Sequence, residues 1–270
     1  MFDRRALRAQ AEEGGASDRA YVDAMIRMGW SRTADVEERR ALADLHEAVV
    51  RASRRARQEV RTAIANADLR GLALRAHFDA LPPLERDHGV EEVLGIAYPP
   101  LEEQAMPREM IAYQPSGYDE IVHALDTTAL GPTGRLVDVG SGMGKAVLLA
   151  SLLSGAEAVG IERDPTLHDH AVRAARDLSV ERARFVNADA SEAALDDADV
   201  YFLYIPFTGA VLEGFLARLF DPRGRGTPRR RHLCAGAIDV ARHPSLAIAG
   251  PPSSWMHVYA IVDANDRRDA

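Results

Sequence analysis

Gly140, Gly142 and Gly144 stand at alternate positions in "LVDVGSGMGKAVLLA", residues 136–150, with an apolar run on either side. Asp138 precedes the first glycine by two residues and Lys145 follows the last. A glycine-rich turn between a strand and a helix offers backbone N–H groups and little side-chain bulk. It therefore suits a ligand with negative or hydrogen-bonding groups. Two further carboxylates close later apolar runs: Glu162 ends "AVGIE" and Asp189 follows "FVNA".

Two ligand classes fit the glycines poorly. A triphosphate loop reads G-x-x-x-x-G-K-[ST]. Here Val139 stands where its first glycine belongs, and Ala146 replaces the hydroxyl that ligates magnesium. A dinucleotide loop reads G-x-G-x-x-G. Gly140 and Gly142 match it, but Lys145 occupies the third position, where a large side chain obstructs close helix–strand packing.

The remaining pattern, Asp138-x-Gly140-x-Gly142-x-Gly144, resembles class I (Rossmann-like) S-adenosylmethionine (SAM)-dependent methyltransferases, and the resemblance covers the chain from about residue 113 onward. It implies SAM as cofactor, held by Asp138, Gly140, Ser141, Gly142, Gly144, Glu162 and Asp189. Within the family the acid before the first glycine lies on the ammonium side. The acid ending the second strand takes the ribose hydroxyls, and the acid ending the third accepts from the adenine amino group. The next strand runs into "YIPFTG", residues 204–209, which in the family faces the methyl group. Many amino-group methyltransferases carry [DNS]-P-P-[YF] there. Pro206 and Phe207 match its end and become candidate acceptor-pocket residues, but Tyr204 and Ile205 replace its start, so an amide-type mechanism is not inherited. Tyr204 and Tyr113 are the candidate catalytic side chains, to orient the acceptor or take its proton.

"AYQPSGYDEIVHAL", residues 112–125, is similar to the loop and helix preceding the glycine motif in the non-SET histone-lysine methyltransferase-like group. That likeness implies that Tyr113 and Ser116 close over SAM, and it makes a protein lysine the alternative acceptor. A helical N-terminal unit is used by many bacterial small-molecule methyltransferases to cover the acceptor, so a metabolite or natural product is the first expectation. A non-catalytic SAM-binding sensor or assembly protein is the reading of another class.

These residues need a frame. Strands are expected at 135–139, 158–161, 184–188, 200–205, 232–238, 245–248 and 256–262, alternating with helices at 144–153, 166–177 and 211–220. Asp164-Pro165 supplies an N-cap and a first helical position for the middle one. The expected fold is α/β: a doubly wound, mostly parallel seven-stranded sheet with an antiparallel C-terminal hairpin, plus an N-terminal helical domain. The domains divide as 1–100, a helical lid or dimerisation unit, and 101–270, the SAM-binding domain. In the first, Leu45, Val49, Ala52, Ala56, Val60 and Ile64 form one apolar stripe, and the arginines of 51–61 lie on the solvated face. Shorter helices are expected near 20–28 and 69–80. The prolines of 82–115 mark a linker or irregular crossover.

Composition narrows the partners. The 270 residues carry a net charge of −8, which does not suit nucleic acid or an anionic membrane. All basic residues but Lys145 are arginines, as a GC-rich coding bias produces, and a second basic patch lies at 223–231. Cys234 is the only cysteine, so no intrachain disulfide and no thiolate-rich metal site is expected. His168 and His170 are two apart on a helix and point to different faces, and His123 stands alone, so no metal is expected. No apolar run reaches the roughly 20 residues of a membrane span, and a cytoplasmic protein is the default. A homodimer through the N-terminal helices remains open.

Overall fold

The computed structural model describes residues 3–33, 35–96, 111, 113–193, 197–221, 231–236, 240, 243–253 and 256–262. The chain divides into two compact units, Met1–Val93 and Leu94–Ala270.

The first unit is built from α1 (Arg4–Glu13), α2 (Ala16–Arg32), α3 (Val36–Ala65), α4 (Gly71–Asp79) and α5, which runs Arg86–Leu94 across the unit boundary. Asp3 and Asp35 cap α1 and α3 by accepting from the first free backbone N–H groups. Ala11, Val22, Ile26, Leu42, Leu45 and Val49 form a core shared by α1, α2 and α3. Of the anticipated stripe on α3, Leu45, Val49 and Ile64 are buried, whereas Ala52, Ala56 and Val60 are half-buried. The arginine face is not wholly solvated. Arg57 pairs with Glu92, and Arg61 donates to the Val93 carbonyl at 2.7 Å, so both tie α3 to α5. The stretch expected to be a linker thus contains a helix. Pro82 and Pro83 lie ahead of its first turn and none lies within it, which removes the obstacle proline presents to helix interiors. Pro99, Pro100 and Pro107 lie outside the described residues, as does the basic patch through residue 230.

The second unit follows the order α6 (Tyr118–Thr128), β1 (Arg135–Val139), α7 (Lys145–Ser154), β2 (Glu157–Glu162), α8 (Pro165–Asp177), β3 (Ala183–Asn187), β4 (Val200–Tyr204), α9 (Gly209–Leu219), β5 (Arg231–Gly236), β6 (Leu246–Ile248) and β7 (Met256–Ile261). The seven strands lie in the order β3-β2-β1-β4-β5-β7-β6. The first five run parallel, and β7 pairs antiparallel with both β5 and β6. This is the doubly wound sheet with a C-terminal antiparallel hairpin that the sequence implies. Val200 to Leu203 are all buried, as expected of an apolar run covered on both faces. β4 stops one residue short of expectation because Ile205 adopts φ 50°, outside the extended region. β5 ends at Gly236, and the next three residues lie outside the described ones.

Strand order reverses at β1, which has β2 on one side and β4 on the other. In open α/β sheets such a switch point opens a crevice beyond the carboxyl ends of the two diverging strands. The glycine turn follows β1 and residues 204–209 follow β4, so both candidate segments lie on that crevice. Among the described residues, no helix is long and apolar enough to cross a membrane, and no group of three or more His, Cys, Asp and Glu is placed to hold a metal ion.

Candidate functional site

The turn after β1 is shaped by three glycines in the left-handed region, Gly140 at φ 77°, Gly142 at 54° and Gly144 at 83°. Side chains rarely tolerate that conformation. The Gly140 and Ser141 N–H groups donate to the Ile161 carbonyl at 2.9 and 3.0 Å, which pins the turn to the end of β2. A second requirement comes from neighbours. A Cβ on Gly140 would lie 2.5 Å from Pro206 Cβ, one on Gly142 would run into the Tyr113 ring, and one on Gly144 would meet Phe185 at 2.6 Å. Two of the glycines therefore admit the protein's own Pro206 and Tyr113, and the third permits close packing of α7 on the sheet. Ser141 is buried against Gly160, with its Oγ turned toward β2.

Two carboxylates stand beside this turn. Glu162 accepts from the Gly142 N–H at 2.8 Å through Oε2 and from the Asp164 N–H at 2.7 Å through Oε1. Burial raises the Glu162 pKa, and backbone hydrogen bonds from Asp164, Gly142 and Arg163 oppose that rise. Asp138, in the middle of the sheet, is 4% exposed. Burial pushes its pKa up to about 8, and the neighbouring Glu162 carboxylate adds to the rise. Asn187 supports the arrangement by donating to the Glu162 and Arg163 carbonyls at 2.9 and 3.0 Å, a role its place in "FVNADA" does not disclose.

Asp189 follows β3 and opens a turn. Its Oδ1 accepts from the Ser191 N–H at 2.8 Å and from the Ser191 hydroxyl at 2.6 Å, and these bonds lower its pKa. That leaves Oδ2 for a further donor.

The residues after β4 separate. Tyr204 pairs in register with Gly236 of β5, and its ring lies against that glycine, on the side of β4 away from β1. Ile205 then turns through the left-handed region, a genuine outlier for a β-branched residue. Pro206 comes to rest on Gly140, and its carbonyl accepts from the Ile111 N–H at 3.4 Å. Phe207 is 2% exposed and packs on Phe215 of α9, with ring centroids 5.7 Å apart. Thr208 occupies the N-cap of α9, but its side chain makes no capping bond. The glycine turn, Tyr113, Pro206, Asp138 and Glu162 therefore gather at one place. Tyr204 faces β5, and Phe207 belongs to the core. Ser116 is buried just ahead of α6.

No protein-family model and no curated protein matches the chain. Among solved structures it is similar to an RNA methyltransferase from Salinibacter ruber in complex with S-adenosyl-L-homocysteine (SAH). The identity is 25% and the TM-score 0.49, over 56% of this chain and 95% of that one. It is also similar to a SAM-dependent methyltransferase from Thiobacillus denitrificans with SAH, at 21% identity and TM-score 0.37, over 46% of this chain and 50% of that one. A geranyl diphosphate C-methyltransferase from Streptomyces coelicolor A3(2), with Mg2+, geranyl diphosphate and SAH, matches at 17% identity and TM-score 0.36, over 43% and 44%. The chain spans about half the length of the last two. Its own strand order places the glycine turn after the central β1 of a doubly wound, mostly parallel sheet.

Proposed function

We propose that this chain is a SAM-dependent methyltransferase whose acceptor is a small molecule, a metabolite or natural product. The observation that carries the reading is the pair of acids, Asp138 and Glu162, flanking a left-handed glycine turn at the switch point of the sheet. A buried acid whose charged neighbour is a second acid calls for a cation, and the ammonium of SAM is one. The Glu162 carboxylate, an acceptor at the end of β2, suits the ribose hydroxyls, and Asp189 Oδ2 suits the adenine amino group. The residues present therefore fit the cofactor.

When bound, SAM supplies a methyl group activated on a sulfonium. The task of the protein is to orient and dehydrate the acceptor, and alignment alone supplies much of the acceleration of an in-line displacement. No covalent enzyme intermediate forms. Tyr113, resting on Gly142, is the side chain assigned to orient the acceptor or receive its proton. Tyr204 is assigned to the wall of the crevice toward β5.

A protein-lysine acceptor is the second reading. The packing of Tyr113 on the glycine turn and the burial of Ser116 favour it, because the group it resembles closes such a segment over SAM. Incubation of the full chain with methyl-labelled SAM and a cell extract, followed by mass spectrometry, separates the readings. Label in a small molecule is the expected result, and label on protein lysine establishes the second. SAH binding with no transfer to either makes the chain a sensor.

A further inference from the structure

Asp189 opens the turn that follows β3. The Glu192 and Ala193 N–H groups donate to the Asp189 carbonyl at 3.0 and 2.8 Å, which winds residues 189–193 into a single tight coil. Among the described residues of that coil, no N–H group donates to the carbonyls of Ala190, Ser191 and Ala193. All three are met by one side chain from α9: Arg218 donates through one terminal nitrogen to the carbonyls of Ala190, at 2.9 Å, and Ser191, and through the other to that of Ala193. A guanidinium is planar, always charged and rigid, so one group can fix three carbonyls in a way an ammonium on a flexible stem does not. α9 also follows directly from residues 204–208, so the turn is anchored to an element whose own start is set by the β4 end.

We infer that Arg218 is a positioning residue for the adenine end of the cofactor: it locks the 189–193 turn so that Asp189 Oδ2 faces the base and selects a 6-amino purine. This rests on the cofactor reading above. Ser191 and Arg218 then divide the work. Ser191 holds Oδ1 and keeps the carboxylate ionised, and Arg218 holds the backbone that carries it. Selectivity follows from the chemistry of the base. Adenine presents a donor to Oδ2, whereas hypoxanthine presents a carbonyl oxygen and leaves the carboxylate facing an acceptor. Arg218 touches neither base nor methyl group, so it acts only through the turn.

The test compares SAH with S-inosyl-L-homocysteine by calorimetry on the full chain. The wild type should prefer SAH by about tenfold or more, the size of one hydrogen bond to a charged group. Arg218→Ala should weaken SAH and shrink that preference to about twofold, with the affinity for the inosyl compound nearly unchanged. Arg218→Lys should restore only part of it. Should Arg218→Ala fail to fold, Arg218→Gln carries the same expectation with the stem kept. A variant that folds, binds SAH and retains the full preference overturns the inference, because a merely structural arginine would lower both affinities together. A wild type that binds neither compound overturns the cofactor reading instead.

Discussion

Replacing Asp138 by Asn keeps the shape of the side chain and removes its ionisation. In the protein without ligand the Asp138 pKa is pushed from 3.8 up to about 8 by burial and by Glu162. Between those two values the folded state holds a proton that the unfolded state has released. The stabilisation from that proton is fully present below 3.8 and is lost as the pH rises through the window to about 8. At about 1.4 kcal/mol per pKa unit, the ceiling on the loss is about 6 kcal/mol. A third of that ceiling shifts the Tm of a domain this size by about 5 °C. An amide never ionises, so Asp138→Asn should lack this slope and be the more stable protein at the alkaline end of the window. Ligand reverses the sign. An ammonium favours ionised Asp138, so SAH binding to the wild type should release a proton and tighten as the pH rises toward about 8. Thermal unfolding of both proteins at the two ends of the window, with and without SAH, is the assay. Superimposable pH slopes for the two ligand-free proteins would refute the reasoning, since they would show that Asp138 is not held protonated by the fold.

Ile205→Gly should be more stable than Ile205→Ala by about 1 kcal/mol in chemical denaturation, because only glycine adopts φ 50° without a Cβ penalty. Equal stabilities would mean that the turn after β4 relaxes once the side chain is gone. Methyl transfer from a sulfonium needs no Lewis acid, so EDTA should leave turnover intact, and activity lost to EDTA and restored by zinc or magnesium would contradict the mechanism. Residues 94–270 expressed alone should bind SAH within about threefold of the full chain, because every residue assigned to the cofactor lies there. A truncated chain that folds and has lost SAH binding would show that the assignment is incomplete.

What the sequence discloses here follows the range of the physics involved. The β1–turn–α7 segment is legible because its signals are local: an apolar run, glycines, then a helix bounded by left-handed Gly144 and Gly155. α8 is legible for the same reason. Asp164 accepts from the Thr166 and Leu167 N–H groups at 2.7 and 3.2 Å, and Pro165 follows it. α5 is hidden because its apolar residues are few and prolines precede it closely. The partners of the glycines are hidden because Tyr113 and Pro206 reach Gly142 and Gly140 through tertiary folding. The left-handed Ile205 runs against the preference of its own side chain, so no local rule announces it. Arg218 is hidden too. It is one of many arginines in the chain, and its partners are backbone carbonyls, which leave no mark in a sequence.

The account stands most directly on one calorimetric experiment, the titration of SAH into the wild type, Glu162→Ala and Gly142→Val. The wild type should bind SAH at a single site and should not bind NAD in its place. Glu162→Ala should weaken binding by about 1.5–3 kcal/mol, the loss expected for hydrogen bonds to a charged group. Gly142→Val should abolish it, because a β-branched side chain at φ 54° would be driven into Tyr113. SAH affinity unchanged in both variants, or a wild type that takes NAD and refuses SAH, would contradict the assignment of this crevice to SAM.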